Sequence, residues 1–227
     1  MKSYKLLSVS ADAKTIKGEA QGYLTGILYL APDKLAGGPT LCPFSSEGCR
    51  AVCLNTAGRG GFNIVQESRI RKARMFQANI KAFTAQICED IEALRAQALA
   101  KGLKTAVRLN GTSDIRWEGY GIMERFGDVQ FYDYTKYPMR YRRNLPVNYH
   151  LTYSLSEKPD SMEHAQEWQR AGVNTAVVFR AELPVIFAGR VVIDGDVNDL
   201  RFKDPTGCIV GLRAKGKAKK TETKFVL

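Results

Sequence analysis

The chain has 227 residues, 44% of them hydrophobic and 25% charged, which is a globular profile and excludes fibrous or disordered classes. Its longest apolar runs, such as 23–32, are far too short to span a bilayer. Five cysteines behind a polar start with no signal peptide argue against a secreted disulfide scaffold. The net charge of +11 is uneven: residues 201–227 hold eight Lys and Arg against Asp204 and Glu222, so that stretch alone carries +6. With no Pro/Ser-rich linker, one domain over 1–212 and a basic tail over 213–227 are expected. The tail is expected to be too polar to join the core.

In chain order, a short buried strand over 26–31 ends at Pro32 and leads into a loop holding Cys42, Cys49 and Cys53. A long helical region begins near Asn63. Ile80, Phe83, Ile87, Ile91 and Leu94 recur in it at helical spacing, and Gly102 stops it. Strands follow over 105–110, 129–134 and 149–154, then a helix over about 161–171, then strands over 175–180, 190–194 and 208–212. Alternating strands and helices predict an α/β protein with a mainly parallel sheet. Polar residues close several strands: Arg108, Asn110 and Asp114, then Tyr132, Asp133 and Lys136, then Ser154, Ser156 and Glu157, then Arg180 and Glu182, then Asp194 and Asp196. Functional groups at the C-terminal ends of successive parallel strands mark a barrel. Six to seven strands predict a partial or irregular (β/α) TIM-like barrel, with the cysteine loop after its first strand.

The cysteine loop is the chemically sharpest feature. Three thiols in twelve positions of a polar, glycine-rich stretch are soft-metal ligands expected to converge on one point. Cys49 and Cys53, four apart, would share one face of a helical turn. The spacing C-x6-C-x3-C is not that of a zinc finger or ribbon. The expected metal ligands are therefore Cys42, Cys49 and Cys53, binding an iron–sulfur cluster, with structural zinc or packing cysteines as the alternatives. Cys208 opens a strand, at the opposite end of a parallel barrel from the loop, and Cys88 sits beside Ile87 on the long helix, where it packs.

Asn110, Ser113 and Asp114 form a polar turn that is either a satisfied Asx-turn or a cofactor-binding floor, and Asp133 and Lys136 would add an acid and a base at the same rim. Asp194-Gly-Asp196 suits a turn or a cation. His150 shares its strand face with Thr152 and Ser154, which suits either a polar interior or a hydrogen-bonded core histidine. His164 lies on a polar helix and is expected to be exposed. Basic clusters at 69–74 and 140–143 and in the tail point to an anionic partner, nucleic acid being the commonest, or to a solvated basic face.

A first strand running into a three-cysteine loop resembles the radical S-adenosylmethionine enzymes, whose loop holds a [4Fe-4S] cluster through three thiolates. Their spacing is C-x3-C-x2-C, which this chain lacks, so S-adenosylmethionine does not carry over with the cluster. The closer resemblance is to the mycobacteriophage gene-product-eighty-eight family. It rests on Cys-Pro-x5-Cys-x3-Cys-Leu-x-x-Ala-Gly-Arg at 42–59, Arg-x-Arg-Lys-x-Arg-Met at 69–75 and Arg-Leu-Asn-Gly-Thr-Ser-Asp at 108–114. The motifs at 129–136, 149–154, 194–196 and 204–216 extend it over most of the chain. It implies a bacteriophage protein, working in the cytoplasm of the infected host cell, with a cluster-like cysteine loop. Two functions follow: a redox or radical-type iron–sulfur enzyme, or a nucleic-acid-associated protein whose cluster or zinc is structural.

Overall fold

The computed structural model describes residues 4–9, 13–142 and 144–227. The elements are β1 (Leu7–Val9), α1 (Ala13–Glu19), β2 (Tyr23–Leu28), α2 (Glu47–Ala51), α3 (Asn63–Ala78), α4 (Ile80–Ala100) and β3 (Lys104–Arg108). After them come α5 (Ile122–Arg125), β4 (Gln130–Thr135), β5 (Tyr149–Ser154), α6 (Ser161–Arg170), β6 (Thr175–Phe179), β7 (Ile186–Phe187), β8 (Arg190–Asp194) and β9 (Ile209–Arg213). The strands form a nine-stranded sheet in the order β1-β2-β3-β4-β5-β6-β9-β8-β7. Neighbours from β2 through β6, β9 and β8 are parallel, while β1 and β7 are antiparallel edges. The protein is thus mixed α/β with a sheet that does not close on itself.

The first parallel strand begins earlier than its apolar run suggests. Tyr23 to Ile27 pair with Lys104 to Arg108, and the chain leaves the sheet after Leu28 although Leu30 and Ala31 stay buried. The long helical region is two helices. Asn79 breaks it with φ −153°, and its side chain accepts the Ala82 N–H at 2.9 Å, a cap that starts α4 afresh. Phe83, Ile87, Ile91, Leu94 and Ala98 then form the buried stripe. Gly102, at φ +65°, ends α4 as the Leu103 N–H turns back to the Ala98 carbonyl.

The two faces of the sheet are covered differently. Val107, Phe131, Tyr149, Leu151 and Tyr153 share one apolar cluster with the α4 stripe and Trp168 of α6. The opposite face carries polar groups and meets residues 199–204. There Asp199 accepts from Arg108 at 3.0 Å and from the Tyr132 hydroxyl at 3.2 Å. The Phe202 ring packs edge-on against Tyr23 and Tyr132, and Arg201, 1% exposed, pairs with Asp204 at 3.1 Å. His150 is on this face, its pKa lowered by burial and by the nearby Arg201. Among the described residues no helix is long and apolar enough to cross a membrane.

Gly111, just past β3, shows how tightly the rim is packed. A Cβ there would lie 2.6 Å from the Tyr29 ring and 2.8 Å from the Leu28 carbonyl oxygen, and backbone cannot give way cheaply. Gly111→Ala should therefore cost about 1–3 kcal/mol of stability by overpacking, read as a lower urea midpoint with an unchanged slope.

Candidate functional site

The cysteine loop is fastened at three places along the C-terminal rim. At its start, Asp33 takes φ +50°, its carboxylate accepts the Thr40 hydroxyl at 2.6 Å, and its carbonyl accepts the Leu41 N–H. The Asp33 N–H points at the Cys42 sulfur, 3.4 Å away, and the Cys42 thiol donates to the Thr112 carbonyl at 3.8 Å. In its middle, Ser46 caps α2, accepting the Cys49 N–H at 3.1 Å. Glu157, just past β5, clamps that cap: it accepts the Ser46 hydroxyl at 2.7 Å and the Gly48 N–H at 2.6 Å. Only glycine fits at 48, since a Cβ would meet Glu157 and the Phe225 Cβ at 2.8 Å each. At its end, Asn55 is 1% exposed and accepts the buried Arg69 guanidinium through its carbonyl and its side-chain oxygen, at 2.7 and 2.8 Å.

Cys49 and Cys53 do not share a helical turn. α2 ends at Ala51, Val52 leaves the helical region at φ −115°, and Cys53 precedes a separate 3₁₀ turn. Five residues capped on Ser46 are too short to carry a second cysteine. All three thiols are free and half-buried. Burial pushes the Cys42 thiol up to about 12, with the neighbouring Asp114, Cys53 and Cys49 adding to the rise. Burial also raises Cys49, against the pull of Lys136, and Cys53, against that of Arg69 and Lys136. The thiols are therefore electrostatic neighbours. The single point of convergence expected from the sequence is not formed, however: among the described residues no group of three or more His, Cys, Asp or Glu side chains is placed to hold a metal ion.

Lys136 and Asp114 act on the thiols electrostatically. The Lys136 ammonium donates to the Ser154 carbonyl at 3.0 Å, the Ser154 hydroxyl at 2.8 Å and the Leu155 carbonyl at 3.2 Å. Burial lowers its pKa, while Cys49, Asp114 and Glu157 pull it back up. Asp114 accepts the Lys136 N–H at 2.8 Å, the Thr135 hydroxyl at 3.0 Å and Arg142 at 3.4 Å.

Asn110, Ser113 and Asp133 stand one layer behind. The Asn110 side-chain oxygen accepts from Ser113, the Ile115 N–H and the Trp117 indole at 2.9–3.1 Å, which is a satisfied turn. Asp133 accepts the Asn110 N–H at 2.8 Å and the Tyr149 hydroxyl at 3.0 Å, and burial lifts its carboxyl to about 7 against the pull of Arg108.

The remaining candidates lie elsewhere. Cys208 is buried at the start of β9, its thiol on the Pro205 carbonyl, and Cys88 packs in the α4 core. Asp194 and Asp196 pair with Arg213 and Lys215 at 2.8 and 2.6 Å, so the acidic turn holds the start of the tail. His164 is buried, not exposed, between Asp160 and Glu167. The tail corrects a further expectation. Ala214, Ala218 and Val226 form an apolar cluster with Val52 of the cysteine loop, because alanines and a valine punctuate its lysines. The Phe225 ring lies 4.8 Å from the Lys136 ammonium.

The basic clusters are also partly internal. Arg69 and Lys72 are buried, Lys72 donating to the Leu6 carbonyl at 2.7 Å. Arg142 is 2% exposed and binds Asp114 and Glu118, so it is not free to hold a phosphate. Arg143 lies outside the described residues. Arg69 and Phe225 are the site residues that sequence reasoning missed. A signal for Arg69 existed, since 69, 72, 73 and 76 form the buried stripe of α3 and two of those positions are cationic.

A family model described as Gene product 88 matches residues 5–227. The chain belongs to this bacteriophage family. No curated protein and no solved structure matches it. The comparisons give no support to a likeness to radical S-adenosylmethionine enzymes. The match spans both the cysteine loop, fastened by Asp33, Glu157 and Arg69, and the turn that ends on Asp114.

Arg142→Met tests the internal role of this basic cluster. Removing one partner of a buried ion pair costs about 3–5 kcal/mol, so chemical denaturation should show a loss of that size. A surface phosphate-binding arginine would leave stability unchanged.

Proposed function

We propose that this Gene product 88 protein is an iron–sulfur protein of the infected host's cytoplasm, in which Cys42, Cys49 and Cys53 hold a [4Fe-4S] cluster at the C-terminal rim of a partial (β/α) barrel. Its role is that of a redox or radical-type enzyme. The observation that carries this reading is three free, half-buried thiols in one fastened loop, whose burial Lys136 and Arg69 partly offset electrostatically. A cluster bonds each cysteine to a different iron, so its thiolates stand farther apart than those around a single ion. The donor set therefore suits a cluster even though no three side chains are placed around one metal. When bound, the cluster would supply electron transfer and an iron open to a non-cysteine ligand.

The protein's own groups serve such a centre in distinct ways. Lys136 and Arg69 offset the negative charge of buried thiolates, which would otherwise be costly to ionise. The Asp33 N–H stabilises a thiolate at Cys42 by donating to its sulfur. Glu157 orients Cys49 by fixing the cap of α2. S-adenosylmethionine is no part of the proposal, because neither the cysteine spacing nor the family match supports it.

Anaerobically prepared protein should contain about four irons and four sulfides per chain, the content of this cluster type. Cys42→Ala, Cys49→Ala and Cys53→Ala should each lose the absorbance that dithionite bleaches, while Cys88→Ala and Cys208→Ala keep it. One tightly held zinc without sulfide would overturn the reading.

A second reading, a nucleic-acid-associated protein, is favoured by the exposed Lys217, Lys219 and Lys220, carried by a 3₁₀ turn whose first residue, Gly216, packs against Ala57. Lys215 is excluded because Asp196 already holds it. Replacing the three exposed lysines with alanine should flatten the log–log dependence of duplex affinity on salt by about 0.9 per lost phosphate contact. An unchanged slope removes these lysines as contacts.

A further inference from the structure

β5 and β6 part company at the rim. Alternate residues of β6 turn their backbone groups toward β5: the Tyr153 N–H donates to the Asn174 carbonyl and the Leu155 N–H to the Ala176 carbonyl, each at 2.9 Å. β5 ends at Ser154, so the next groups along that edge, the Val178 carbonyl and the Arg180 N–H, lie beyond its reach. Leu227 fills the gap. Its N–H donates to the Val178 carbonyl at 3.0 Å, and its carbonyl accepts the Arg180 N–H at 2.6 Å. These two bonds are those of a strand bridge opposite Phe179.

The two residues before Leu227 are anchored by side chains. Phe225 stands over the Lys136 ammonium, and Val226, 4% exposed, enters the cluster of Val52, Ala214 and Ala218. Upstream, the Arg180 guanidinium holds the Thr221 carbonyl at 2.8 Å. About 20 Å³ of free space remains between Leu155, Ser156 and Val178 on one side and Phe225 and Leu227 on the other, room for about one water. An open strand edge flanked by side-chain pockets is how sheets recognise extended peptides: the edge reads main chain and the pockets read alternate residues.

We propose that this rim is a binding groove for an extended peptide carrying an aromatic residue followed by an aliphatic one, and that residues 225–227 occupy it in cis. Val178 and Arg180 hold the peptide backbone, Lys136 takes the aromatic ring by a cation–π contact, and Val52 with Ala214 and Ala218 takes the aliphatic side chain. The chain's own segment then packs against Gly48 and Val52, residues on either side of Cys49, through Phe225 and Val226. Its tether gives it a high effective concentration, so a free peptide competes poorly until the segment is removed. The groove is built from protein groups alone and does not rest on the cluster reading.

The test uses metal-free, reduced protein: the full chain, a chain ending at Thr223, and a full-length Phe225→Ala/Val226→Ser variant. Iodoacetamide alkylation of Cys49 is followed by mass spectrometry, with folding checked by circular dichroism. Cys49 should react about ten-fold faster or more in both variants, since protection follows the free energy of local opening. An acetylated peptide of residues 221–227 should then restore protection in a saturable way, and a scrambled one should not. If the shortened chain does not fold, the peptide is titrated against the double variant instead. Cys49 reacting no faster in the folded variants, or no protection by the peptide, overturns the proposal.

Discussion

The Asp114 carboxylate is the joint through which the rim is assembled. It draws together the end of β4 through Thr135 and the Lys136 N–H, and the 139–142 turn through Arg142. Its own N–H donates to the Leu41 carbonyl, one residue before the first cysteine of the loop. Burial raises its pKa and Arg142 lowers it again, so carboxylate and guanidinium are tolerable inside only as a set. The cysteine loop inherits its position from this charge arrangement, because its first thiol is fixed against the β3 turn that Asp114 terminates.

The same economy governs the protein's positive charge. Arg69, Lys72, Arg142 and Arg201 are all buried and all engaged. Arg69, Lys72 and Arg142 join segments distant in sequence, while Arg201 ties its own turn together through Asn198 and Asp204. What faces solvent at the cysteine loop includes Arg50 and Arg59 of the loop itself as well as Lys217, Lys219 and Lys220 beside it.

Most of the scaffold was legible in the sequence because its signals are local. Tyr149–Ser154 and Arg190–Asp194 match the expected strands, and the central pairs are parallel as alternating strands and helices imply. Several errors depended on a partner far along the chain. Nothing near Arg142 announces Glu118 and Asp114, and nothing near Val226 announces Val52. Asn79 was a local miss: its helix-capping chemistry was visible, but the apolar period continued across it. The two-residue β7 is too short to give any periodic signal.

The strand order carries a consequence for how the chain is made. β9 lies between β6 and β8, both of which precede it in sequence. During synthesis, β6 and β8 therefore wait with unpaired inner edges until the segment after residue 208 leaves the ribosome and slots between them. Long-range parallel pairing is slow to form, and open edges invite pairing with other chains. The interval before β9 arrives is when the nascent protein is most exposed to aggregation, and a rapid supply of residues 209–213 in translation would shorten it.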